Sequence, residues 1–141
     1  MFIDPQLGDL YFVQKGGYRV LRAKKAELDL AANDSIIKLE EVRNSGSWAI
    51  EPSSGNMSPQ GDEIVLRNET TAWIFQRATG QSVADALGKI ALTLTLAPEF
   101  NGEAISYDAE GLDLVTLSEN TSKAADNPSP PQPISFYKRQ R

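Results

Sequence analysis

The chain is expected to fold as an all-β protein: a sandwich or small barrel of antiparallel strands, with one short helix and an extended, proline-rich C-terminal arm. Three observations point there. Short apolar stretches recur between turn signals at the spacing of all-β domains. Leu92-Thr93-Leu94-Thr95-Leu96 alternates apolar and polar residues, the period of a strand that covers a core on one side. Between 128 and 133, four of six residues are proline, which neither a helix interior nor a central strand accepts.

Taken in chain order, residues 10–14 and 18–22 flank Lys15-Gly16-Gly17 and read as a hairpin, because the glycines reach positive φ without strain. Residues 22–32 are ambiguous. Lys24, Lys25, Ala26, Glu27 and Leu28 are good helix formers, whereas Leu28-Asp29-Leu30 alternates, and the alternation favours a strand. Residues 36–43 and 47–50 flank Asn44-Ser45-Gly46 as a second hairpin. Residues 64–67 and 72–79 are strand-like, with Trp73 and Phe75 two apart on one face. Ser82 followed by Asp85 resembles a capping box and predicts a helix of two turns at 83–89, with Val83, Ala86, Leu87 and Ile90 on one side. In the 92–96 strand, Leu92, Leu94 and Leu96 are expected to point inward together and Thr93 and Thr95 outward. Strands at 105–107 and 112–117 complete the body.

At 141 residues, 40% hydrophobic and 23% charged, the chain suits one globular domain. Composition divides it into a β-rich body, 1–117, and an arm, 118–141. The net charge of −5 is unevenly spread. The arm holds four basic side chains (Lys123, Lys138, Arg139, Arg141) against Glu119 and Asp126, a net +2 that leaves the body at −7. An acidic body disfavours general binding to nucleic acid or to anionic membranes, and no apolar run approaches the length of a bilayer span. The N-terminal Met1-Phe2-Ile3-Asp4-Pro5 lacks the charged and apolar regions of a secretory signal, so synthesis and folding in the cytoplasm are expected.

The absence of cysteine and histidine removes disulfides, thiolate and imidazole metal sites, thiol nucleophiles and the Ser-His-Asp triad. Carboxylate chemistry remains. Asp62-Glu63, Glu40-Glu41 and Glu51 are numerous enough to pair, but glycoside chemistry needs two carboxylates that face one another, which sequence does not show. Asp108, Glu110 and Asp113 cluster around Gly111 without the register of a calcium loop, and a solvated acidic turn is the simpler reading. Gly16-Gly17 and Gly46 lack the setting of a phosphate loop. Trp48 and Trp73 read first as packing residues, and as contact residues if exposed. No catalytic residue, cofactor or metal is assigned.

What remains is a partner-binding arm. In an extended segment Ile134 and Phe136 fall on one side and Ser135 and Tyr137 on the other. Ile134, Phe136 and Tyr137 are the expected apolar anchors, and Lys138, Arg139 and Arg141 are expected to meet carboxylates of an acidic neighbour. The expectation is a non-enzymatic component of a multi-subunit assembly, with partners that are copies of itself and other subunits. The architecture of a small β body with an arm is that of bacteriophage virion parts, such as capsid decoration, head–tail connector or tail components, by analogy of architecture alone. A β-barrel module for a small ligand or peptide is the alternative.

Overall fold

A computed structural model describes residues 1–16, 19–44, 50–99, 102–118 and 134–140. The elements are β1 (Phe2–Ile3), β2 (Leu10–Val13), β3 (Arg19–Ala23), α1 (Lys25–Leu30), β4 (Glu40–Asn44), β5 (Ser54–Met57), β6 (Glu63–Arg67), β7 (Thr71–Gln76), α2 (Val83–Ala86), β8 (Leu92–Thr95), β9 (Gly102–Tyr107), β10 (Leu114–Ser118) and β11 (Ile134–Tyr137). They form three antiparallel sheets, ordered β1-β2-β3-β4, β5-β6-β7-β8 and β11-β10-β9. The protein is all-β, and among the described residues no sheet closes into a barrel.

The second sheet lies between two apolar clusters. Successive strand residues face opposite ways, so Ile64, Leu66 and Phe75 enter one cluster with Phe2, Tyr11 and Val20 of the first sheet, Val83 and Ala86 of α2, and Leu87 just after it. Val65, Ala72 and Ile74 enter the other with Leu96, Ile105, Tyr107 and Leu114. That explains why Ile64, Val65 and Leu66 are all fully buried in a row: a strand covered on both faces has no solvent side.

The turns follow from local chemistry. Gly16 takes φ +71° in the β2–β3 turn, which closes with Gln14 N donating to Arg19 O at 3.0 Å. Asn68 shapes the β6–β7 turn, its Oδ1 accepting from the backbone N–H of Thr70 and Thr71 at 3.0 and 2.9 Å. Ser82 caps α2, its Oγ accepting from Asp85 N at 3.0 Å and donating to Asp85 Oδ2 at 2.7 Å.

Several elements differ from expectation. Residues 25–30 are helical, not strand. Lys24 provides no side-chain cap, and the start of α1 is satisfied from another element, with Asp9 Oδ1 accepting from Lys25 N at 2.9 Å. A cap supplied at long range tips an ambiguous segment toward helix. A second helix thus joins the one expected. The strand expected from 36 begins only at Glu40, and it pairs with β3; residues 45–49, the rest of the proposed hairpin with Trp48, lie outside the described residues. Helix α2 has four residues rather than two turns, which leaves Ile90 99% exposed. The leucine ladder is graded: Leu96 is buried, Leu94 half-buried and Leu92 exposed at 61%. Strand β8 is the edge of its sheet, and Leu94 near its end and Leu96 just beyond it meet the second cluster. Strand β5, Ser-Gly-Asn-Met, has weak intrinsic β tendency and exists through pairing with β6. Gly55 belongs there because a Cβ would sit 2.6 Å from Leu66 Cδ2.

Candidate partner-binding surface

Residues 134–137 form a strand on their own body. β11 pairs antiparallel with β10 in the register Leu114↔Tyr137, Val115↔Phe136, Thr116↔Ser135 and Leu117↔Ile134. The period of two then separates the arm into an inner and an outer face. Tyr137 packs on the second cluster, and its hydroxyl accepts from Ala97 N at 2.8 Å. Ser135 also points inward, where its hydroxyl helps to hold the Glu99 carboxylate ionised. Ile134 and Phe136 face out, exposed at 68% and 53%. Across the strand they meet Leu117, 41% exposed, and Val115, so four apolar side chains on alternate rungs make one outward face. The β9 residues opposite β10, Ala104 and Ser106, extend it with small side chains.

Charged groups fasten the end of the strand. Arg139 forms a two-pronged pair with Glu63 of β6, Nη1 to Oε2 at 2.5 Å and Nη2 to Oε1 at 2.8 Å, and Gln76 Nε2 donates to the same carboxylate. Burial pushes the Glu63 carboxyl up, but Arg139 and Gln76 outweigh it and hold it below the ordinary glutamate range. The Tyr107 hydroxyl beside it is pushed well up by burial and by the Glu63 charge. The backbone of Arg139 also donates to Asp113 Oδ1 at 3.0 Å. Lys138 and Gln140 are exposed, and Arg141 lies outside the described residues.

Beneath β11 is a buried polar joint. Arg67, fully buried, donates through Nη1 to Glu99 Oε2 at 2.7 Å and Ala104 O at 3.1 Å, through Nε to Asn68 O at 2.8 Å and through Nη2 to Glu69 O at 3.3 Å. Thr116 Oγ1 donates to the other oxygen of Glu99. Burial raises the Glu99 carboxyl, and Thr116 and Arg67 together bring it below its ordinary value. Gly102 is required here, since a Cβ would overlap the Arg67 guanidinium. A second buried pair, Arg77 Nη2 to Asp4 Oδ2 at 3.0 Å, ties the N-terminus to the end of β7.

Several other acidic groups close turns or pair with cations. Asp108 Oδ1 accepts from Leu112 N at 2.7 Å and Asp113 N at 3.2 Å, closing the β9–β10 turn, in which Gly111 takes φ +73°. Among the described residues no group of three or more acidic side chains is placed to hold a cation. Glu40 pairs with Arg22 and Lys24, and Glu41 with Arg19. Asp62 Oδ1 accepts from Ser58 Oγ at 2.6 Å. Trp73 is half-buried and packs against the first cluster. Elsewhere, a groove of about 660 Å³ lies between α1 and residues 35–40, rimmed by Leu30 and Ile36, which are 86% and 98% exposed.

Sequence reasoning placed Ile134 and Phe136 on one side, and they lie there. It missed Val115 and Leu117 as their neighbours and Glu63 as the partner of Arg139. The alternate positions of β10 carry a signal for the first, but an antiparallel register between segments so far apart carries none for the second. Comparison with protein-family models, with curated proteins and with solved structures finds no match to this chain.

Proposed function

We propose that the chain is a non-enzymatic structural component of a multi-subunit assembly, and within that class a bacteriophage virion part such as a capsid decoration, head–tail or tail component. The observation that carries the reading is the outward face of β10 and β11, where Val115, Leu117, Ile134 and Phe136 present a contiguous apolar surface. Apolar patches of this kind mark sites of protein contact. The carboxylates at Glu40, Glu41, Glu63 and Glu99 support a structural use, because each is held by an arginine or lysine. The virion assignment draws on architecture, a small β body with a proline-rich C-terminal segment.

The test is the native mass of the full chain across a concentration series, with Phe136→Lys alongside. The wild type should exceed the mass of one chain, and Phe136→Lys should return to a single copy with its melting temperature nearly unchanged. A wild type that remains a single copy up to about 1 mM, where even an interaction of about 4 kcal/mol is half-formed, overturns the reading. The groove beside α1 favours a second reading, a module for a small apolar ligand or peptide, since its volume lies in the range of ligand sites. That reading requires Ile36→Asp to abolish binding of an environment-sensitive hydrophobic dye.

A further inference from the structure

We infer that β11 is an exchangeable strand: in the assembled state, residues 134–139 of one copy occupy the place beside β10 on a second copy. This rests on the assembly reading above and names its joint.

The place itself is defined by four sets of contacts. It consists of the β10 edge, the Ala97 N–H that binds the Tyr137 hydroxyl, the Asp113 carboxylate that binds Arg139 N, and the Glu63 carboxylate that binds the Arg139 guanidinium. Each is a contact between the segment and the body, so each is equally satisfied by an identical segment from another chain. Added-strand binding has this form, with backbone pairing for affinity and alternate side chains for specificity.

The connection indicates exchange. Antiparallel neighbours are ordinarily joined by about two to five residues, whereas residues 119–133 separate β10 from β11. Fifteen residues of chain reach up to about 50 Å, enough to deliver the strand to an adjacent body. Within one chain, a tether of that size holds the strand at an effective concentration on the order of millimolar. The intramolecular form therefore prevails in dilute solution, and exchange prevails where copies are gathered. Charge agrees with this occupant, because a segment ending in Lys138, Arg139 and Arg141 is offered to a body with an excess of acidic groups. Docking also leaves Ile134 and Phe136 outward, so the exchanged strand adds an apolar surface that a neighbouring copy covers.

The chain has no cysteine, so introduced pairs report without background. Leu117→Cys and Ile134→Cys are directly opposite and outward-facing, so neither empties the core. The doubly substituted full chain, oxidised when dilute, should cross-link within itself and form fewer oligomers than the same chain kept reduced. Mixing the two single variants at high concentration before oxidation should give a covalent dimer joining position 117 of one to 134 of the other. A protein locked within itself that still assembles like its reduced form, with no mixed 117–134 dimer, overturns strand exchange and leaves the assembly reading standing. A wild type that never exceeds one copy, together with a mixture that yields no mixed dimer, overturns both.

Discussion

The second and third sheets use apolar residues to opposite ends. In β6, Ile64, Val65 and Leu66 are fully buried because sheets cover both faces. In β10, Leu114, Val115 and Leu117 are as apolar, yet of residues 114–117 only Leu114 and the hydrogen-bonded Thr116 are buried, and Leu117 faces solvent beside Ile134 and Phe136. An apolar run in one sheet is core; in the other, half of it is an uncovered surface. The difference teaches that composition identifies a strand but not the number of layers that cover it.

The comparison breaks most sharply at the joint between the two sheets. Arg67→Ala removes the cation that matches Glu99 and leaves that carboxylate buried among groups arranged for a pair. A loss of about 3–5 kcal/mol is expected from breaking a buried pair on one side, read as a fall in the urea midpoint; a loss below about 1 kcal/mol counts against a buried joint.

Leu66→Ala should cost about 2–5 kcal/mol, as for a filled core position, whereas Leu117→Ala should change the stability of the isolated chain by no more than about 0.5 kcal/mol, as at ordinary surface sites. The same contrast applies along the β8 ladder, where Leu96→Ala should be costly and Leu92→Ala nearly silent. Equal losses at 66 and 117 in urea melts mean that the outer face of β10 is covered after all.

The fastening of β11 adds an acid-sensitive contribution. Glu63 and Glu99 both have their carboxyls held below the ordinary value, Glu63 by Arg139 and Glu99 by Thr116 and Arg67, in each case against the upward push of burial. A carboxylate depressed in the folded state binds fewer protons there than when unfolded, so its contribution is present above the unfolded value near 4.5 and lost as pH falls through the folded one. Stability should therefore be level near neutrality and decline below about pH 4.5. Arg139→Gln should cost roughly 1.5–3 kcal/mol at neutral pH, the range for hydrogen bonds to a charged group, and should flatten part of that acid decline. An unchanged acid profile in Arg139→Gln shows that the pair with Glu63 is not formed in solution.

Much of the molecule was legible from local chemistry. The Gly16 turn, the Ser82 cap and the alternation along β11 depend on neighbours in sequence, and they lie as expected. The misreadings share a different cause. Helix α1 begins where Asp9, sixteen residues earlier, supplies its cap, and β5 is a strand because β6 pairs with it. The exposure of Leu92 is settled by the position of β8 at a sheet edge.

By itself the sequence determined that this is a β protein without thiol or imidazole chemistry, acidic in its body and basic at its C-terminus, with an extended segment whose Ile134 and Phe136 share a side. Only the tertiary structure decided that this segment is the third strand of a sheet, that Arg139 reaches Glu63, and that Val115 and Leu117 complete an outward apolar face. The physical reason is that period and turn chemistry act over a few residues, whereas register, layer number and the partner of a charge are set by which distant segments meet.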